Sequence, residues 1–263
     1  NLSRDEILNY ASKELKEDIR TFRLLDTYDI EFDILNQTTK DVAGDIDVIL
    51  TLLEYEPERA LELAAPSLRG NKEFFLKLLE NYEYGDILMK EYGSVLEYAE
   101  GSIQNDEEVV LAAIRQFGAH QLEGAGSELL GNGDFFLELL DDEWTIRECG
   151  IEVSEILPYI SAELLKNKDF ILSALNSKYM DYEDALEMLE IAAKEPFEDK
   201  EFVLQLVDEM GGKTVKYASE ELRADREVVL EAISDCGLAL EFASEELRGD
   251  REIVLEALKE SDD

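Results

Sequence analysis

Two stretches near the C-terminal end, residues 214–233 (TVKYASEELRADREVVLEAI) and 239–258 (ALEFASEELRGDREIVLEAL), repeat one phrase almost letter for letter, and the rest of the chain is a worn version of it. In the last copy Leu240, Ala243 and Leu247 stand at i, i+3 and i+7, the spacing that lines apolar side chains along one helix face. The same register returns upstream as Leu8/Ala11/Leu15, Leu35/Thr38/Val42, Leu61/Ala64/Leu68, Leu96/Ala99/Ile103, Leu122/Ala125/Leu129, Leu157/Ile160/Leu164, Leu186/Leu189/Ala193 and Val215/Ala218/Leu222. The pattern predicts a first helix in each of about nine copies. Its middle residue is usually Ala, which suits a place where a neighbouring backbone comes close.

A short polar residue follows the leading apolar one at a fixed distance: Asp18, Asp45, Asn71, Asp106, Asn132, Asn167, Asp225 and Asp250, with Asp199 displaced by about three residues in the seventh copy. Asp and Asn are strong helix N-caps because the side-chain oxygen accepts an otherwise unpaired backbone N–H. An acid two residues on, such as Asp134, Glu201, Glu227 or Glu252, meets the positive end of the helix dipole. A second helix is therefore predicted from each cap. Its apolar triplet comes at once, as Phe74-Phe75-Leu76, Phe135-Phe136-Leu137 or Ile253-Val254-Leu255, and Gly118, Gly150, Gly212 or Gly237 is placed to end it. Helices of this length fall short of the roughly 12 to 15 residues needed for marginal stability alone in water. They must stack on one another. The copies succeed one another at about 25 to 35 residues, the range of helical-hairpin solenoids.

The expected fold is all-α: a helical-hairpin, α-solenoid-like array of about nine two-helix repeats in a single elongated domain over residues 1–263. Residues 1–33 read as an N-terminal capping repeat, because Thr21, Phe22 and Arg23 replace the apolar triplet. Copies three and five carry inserts at residues 80–93 (ENYEYGDILMKEYG) and 141–154 (DDEWTIRECGIEVS). Their Tyr82, Tyr84 and Trp144 are the candidate protein-binding residues, since exposed aromatics on loops anchor interfaces.

Of 263 residues 45% are hydrophobic, enough for a substantial core, while 25 Lys and Arg against 64 Asp and Glu leave a net charge of −39. The acids run through the repeats and are not gathered in a tail. Such a surface repels nucleic-acid phosphates and anionic membranes and favours a basic protein partner. Cys149 and Cys236 stand far apart without a CxxC neighbour, which argues against a disulfide framework or zinc site and for a reducing, cytoplasmic setting.

The chemistry sought is not found. Gly211-Gly212-Lys213-Thr214 ends like a phosphate-binding loop, but the position of the pattern's first glycine is Val207, inside an acidic helical run. His120 is the only histidine and has no HExxH context. Asp45-Ile46-Asp47 continues into Val48-Ile49-Leu50 and fails the calcium-loop pattern. Paired carboxylates are too common to single out an acid and a base. No catalytic residue, metal ligand or cofactor-binding residue is expected.

The phrase YASEELRADREVVLEAI and its twin FASEELRGDREIVLEAL resemble the tandem repeat of the domain-of-unknown-function 4116 family. The resemblance is closest in the last two copies, fair at residues 96–114 and 157–175, and skeletal elsewhere. It implies a helical-repeat fold and carries over no catalytic residue or cofactor. Members occur in bacteria, intracellular pathogens among them, so delivery into a host cell is the alternative to a cytoplasmic setting. The expected function is that of a non-catalytic protein-interaction scaffold. The alternative is an acidic decoy that imitates a nucleic-acid backbone and occupies a basic protein. Oligomeric state is left open.

Overall fold

A computed structural model describes residues 44–53, 60, 64–80 and 94–260, and every regular element among them is helical. Contacts divide the chain into two compact units, one of Asn1–Leu130 with Glu143–Ile151 and the other of Gly131–Asp142 with Glu152–Asp263. Residues 1–33 of the expected capping repeat and residues 81–93 of the first insert, with Tyr82 and Tyr84, lie outside the described residues.

The longer helices of the first unit are α1 (Ile46–Leu53), α2 (Lys72–Glu80) and α3 (Glu107–Phe117); those of the second are α4 (Gly133–Asp141), α5 (Lys168–Leu175), α6 (Tyr182–Ile191), α7 (Lys200–Met210), α8 (Arg226–Asp235) and α9 (Arg251–Lys259). All but α6 are the predicted second helices, and they start where the polar residues stand. Asn71 accepts from the Phe74 N–H, Asp106 from Val109, Asn132 from Asp134 and Phe135, Asn167 from Phe170, Asp199 from Phe202, Asp225 from Glu227 and Val228, and Asp250 from Glu252 and Ile253.

In α2, α3, α4, α5, α7 and α8 two apolar faces are buried. In α7 one face is Phe202 and Leu206, the other Val203 and Val207. The second pair packs with Val215, Ala218 and Leu222 of the next copy and with Val228 and Ala232 of α8. One repeat later Val229 and Ile233 pack with Ala243, Leu247, Ile253 and Ala257 in the same way. The core therefore runs from each copy into the next.

Among the described residues the predicted first helix is not one continuous helix, the seventh copy apart. In the last copy a 3-10 turn, Gly237–Phe242, stops at Ala243 (φ −66°, ψ 158°), and a short helical turn, Glu245–Arg248, restarts from Ser244. Ala99, Ala125, Ile160 and Ala218 make the same extended break, with ψ of 145°, 150°, 124° and 151°. A backbone bond to the preceding copy accompanies every one of these breaks but that at Ile160. The N–H of the residue after the break donates to the carbonyl two residues before the previous cap: Glu100 to Arg69, Gly126 to Gln104, Ala193 to Leu165, Ser219 to Phe197 and Ser244 to Arg223, all at 2.7–3.2 Å. A continuous helix would spend that N–H on its own preceding turn. Serine after the break caps the restarted turn, as Ser161, Ser219 and Ser244 accept the N–H of Leu164, Leu222 and Leu247.

The seventh copy is in phase after all. Its break falls at Ala192 (φ −62°, ψ 149°), which makes its triplet Leu189, Ala192 and Pro196 and puts Asp199 at the ordinary distance. Leu186, Leu189 and Ala193 share the same spacing, so two apolar stripes overlap there. Among the described residues only this copy precedes its break with a long helix, α6, capped by Asp181.

Candidate interaction surface

Trp144 is the one sequence-derived candidate among the described residues, and the residue is 59% exposed. An extended Asp142 (φ −75°, ψ 104°) ends α4, so the second insert builds its own π-helical turn, Trp144–Glu148, instead of lengthening that helix. The turn closes as the Cys149 N–H donates to the Trp144 carbonyl at 2.9 Å, and Gly150 leaves it at φ 69°. Thr145 is fully buried; its hydroxyl accepts from Arg115 Nε at 3.1 Å and its carbonyl accepts from the Ile151 N–H. The exposed indole thus stands on a turn fixed one residue away. Glu143 and Arg147 lie 3.9 Å apart beside it.

A second feature went unread in the sequence. Among the described second helices the first residue is a cation wherever the next cap is Asp, and it reaches across to that cap; in sequence Ile19, ahead of Asp45, departs from the rule. Lys72 lies 2.8 Å from both Asp106 and Glu108; Lys168 lies 2.6 Å from Asp199; Lys200 lies 2.8 Å from Asp225 and from Glu227; Arg226 lies 2.7 Å from Asp250 and from Glu252. Where the next cap is Asn71, Asn132 or Asn167, the preceding position is Ile46, Glu107 or Gly133. A neutral cap needs no counter-ion, so the pairing of residue types was visible once the caps were aligned. Lys168, Lys200 and Arg226 hold the carboxyls of Asp199, Asp225 and Asp250 below the ordinary carboxylate range, helped by the capping N–H groups. Asp106 and Glu108 raise the Lys72 ammonium, and Asp225 and Glu227 that of Lys200.

The segments that raised chemical questions have structural roles. Gly211, at φ 95°, caps α7, and Gly212 opens the next 3-10 turn; Gly237, too, opens a turn, after Cys236 has capped α8. The expected caps at Gly212 and Gly237 are thus one residue late, because the helix ends before them. The Gly212 N–H donates to Asp235 Oδ2 at 2.6 Å, so the amide a phosphate would use faces a carboxylate. His120 Nε2 lies 2.9 Å from Gln121 Nε2, and fully buried Gln121 accepts the Val95 N–H through Oε1. Among the described residues no three of His, Cys, Asp and Glu stand close enough together to hold a metal ion. Burial, and then the charge of Asp181, pushes the Asp184 carboxyl up.

With this geometry in place, the match to known families falls on the repeats themselves. The model of a domain of unknown function, DUF4116, matches residues 86–130, 199–248 and 225–262. Two of these matches begin on capping aspartates, Asp199 and Asp225. The chain is thus an all-helical protein whose repeats resemble that family. No curated protein and no solved structure matches it. No helix among the described residues is long and apolar enough to cross a membrane.

Proposed function

We propose that the protein is a non-catalytic scaffold that binds a basic protein partner in the cytoplasm, with about nine helical-hairpin repeats in an α-solenoid-like array. The array reading is supported by the same backbone bond recurring between successive copies within each unit. The Trp144 indole is the observation that carries the binding role: it is large, exposed and held on a fixed turn, which lowers the entropy lost when a partner covers it. The acidic surface gives the partner its sign and disfavours nucleic acid and anionic membrane. Tyr82 and Tyr84 belong to the same proposed anchor set on sequence grounds.

The acidic-decoy reading draws on the cation ladder, which ties Lys72, Lys200 and Arg226 to neighbouring carboxylates and leaves Glu108, Glu227 and Glu252 as the more exposed members of their pairs. Salt separates the two. Raising salt from about 0.1 M to about 1 M shortens the Debye length from about 10 Å to about 3 Å. A partner held by an aromatic anchor survives that change; one held by charge alone is released. The test is capture from native lysate at both salt concentrations, with wild-type and Trp144→Ala protein. The scaffold reading expects basic proteins retained at high salt by wild type and lost with Trp144→Ala. An identical captured set with Trp144→Ala contradicts it.

A further inference from the structure

The turn that carries Trp144 also decides what stands beside it. Its closing bond, from the Cys149 N–H to the Trp144 carbonyl, joins residue i+5 to residue i and brings the first residue of the turn, Trp144, beside its last, Glu148. Residues four apart do meet on this stretch, because Glu143 and Arg147, the pair one position earlier, lie 3.9 Å apart. The stripe that starts at Trp144 therefore pairs an indole with a carboxylate, and both residues are exposed. Neither is taken. Among the described residues no cation stands within ion-pair distance of Glu148, and no ring or cationic group stacks on Trp144. Arg147, the cation of the turn, is directed to Glu143. In sequence the insert at residues 141–154 carries Asp141, Asp142, Glu143, Glu148 and Glu152 against Arg147 alone, so an incoming cation meets no opposing field from the insert.

We propose that this pair receives an arginine side chain of the partner protein, with its guanidinium face stacked on the Trp144 indole and its N–H edge on the Glu148 carboxylate. The inference rests on the reading of Trp144 as an anchor and names what that anchor binds. The two groups together select the side chain. A purely apolar residue would cover the indole but strip water from Glu148 without replacing its hydrogen bonds. A lysine ammonium is a compact, strongly hydrated point charge, which gives up more on leaving water and has no flat face to lay on a ring. Guanidinium is planar and more weakly hydrated; it stacks on an aromatic face while its fork of donors matches a carboxylate. Both contacts form at once. Indole is also the aromatic group that attracts a cation most strongly. Buried Thr145, held by Arg115, fixes the backbone one residue away, so little freedom is lost when the arginine arrives.

Trp144 is the only tryptophan of the chain, so tryptophan emission reports this contact alone. The test titrates the full chain with acetylated, amidated tetra-arginine and, in parallel, tetra-lysine, following the emission wavelength and quenching by acrylamide. Tetra-arginine is expected to give a saturable blue shift and to shield the indole from acrylamide, with an affinity about threefold or more above that of tetra-lysine. Glu148→Gln should weaken tetra-arginine by about two- to fivefold, the range of an exposed ion pair. Glu246→Gln removes the same charge from an exposed position of the second unit and should leave that affinity unchanged. Both glutamates are exposed, so neither substitution should move the melting curve. Emission that tetra-arginine does not alter overturns the proposal, as do equal affinities for the two peptides or equal effects of the two variants. The anchor reading outlives such a result when Trp144→Ala still loses its captured proteins; an unchanged captured set removes the anchor and the arginine site together.

Discussion

A Cβ on Gly212 would stand 2.0 Å from the Ala232 carbonyl oxygen, a backbone atom that cannot rotate away. Gly212→Ala is therefore expected to cost about 1–3 kcal/mol, the range for overpacking, while Lys213→Ala next to it, on an exposed side chain, leaves stability within about 0.5 kcal/mol. Urea unfolding of both variants checks the contrast. A phosphate loop predicts the reverse emphasis, with ATP binding that Lys213→Ala abolishes. Caps were the most legible residues. Residue type and spacing alone mark Asn167 as a cap, and its side chain accepts the Phe170 N–H at 3.2 Å. Asn167→Ala should cost about 1 kcal/mol, again by urea unfolding; no loss would show that the turn satisfies its amides in another way. Gly211 and Gly212 were less legible. Residue type does not say which of two adjacent glycines takes positive φ; that depends on where α7 stops, which its packing decides.

Among the elements, burial was readable and conformation was not. Leu96, Ala99 and Ile103, or Val215, Ala218 and Leu222, are all buried as their spacing implies, yet the backbone between them is broken at the Ala. Apolar side chains at i, i+3 and i+7 reach one core from a helix or from two turns joined by an extended residue. The difference lies in an N–H bonded to another copy, about 21 to 31 residues away, and no local pattern records that bond. The seventh copy adds a second reason, since two overlapping stripes satisfy the same spacing and only the break at Ala192 selects one. Trp144 was identified as exposed, whereas the π-helical turn that holds it depends on buried Thr145 and its bond from Arg115. Ser244 isolates the junction experimentally. Its φ of −58° suits proline and Ala243 before it is already extended, so Ser244→Pro removes the donor to Arg223 without forcing the backbone. Ser244→Ala removes only the capping hydroxyl, at about 0.5–1 kcal/mol. Ser244→Pro should cost about 1 kcal/mol more, the net worth of a backbone hydrogen bond. Equal losses in the two variants would mean that the junction bond contributes nothing.

At the scale of the whole molecule, charge sets how stability responds to solvent. Exposed ion pairs such as those of the cation ladder contribute little each, while −39 charges on one chain repel throughout. The melting temperature should therefore rise from low to moderate sodium chloride; a steady fall would mean that the ladder outweighs the repulsion. Acid acts in two stages. Asp184 has its folded pKa raised, so its charged form is disfavoured by folding, and protonating it as pH falls from neutral adds stability along with the drop in net charge. Asp199, Asp225 and Asp250 have folded pKa values lowered, so their contribution is complete above the unfolded value of about 3.9 and is lost only as pH falls through the lower folded values. Thermal melts should pass through a maximum on the acid side of neutral and then fall below about pH 4. Repeating them with Asp225→Asn, which keeps an amide cap but not the charge, should flatten the acid-side loss. The stacking of copies is tested most directly by native-state hydrogen exchange followed by NMR. The amides of Glu100, Gly126, Ala193, Ser219 and Ser244 stand in breaks between helical turns, where a solvent-facing N–H would exchange at once. The account predicts that all five exchange as slowly as the interior amides of α3, α7 and α8. Exchange of these five within the experiment's dead time, while the helix interiors stay protected, would contradict it.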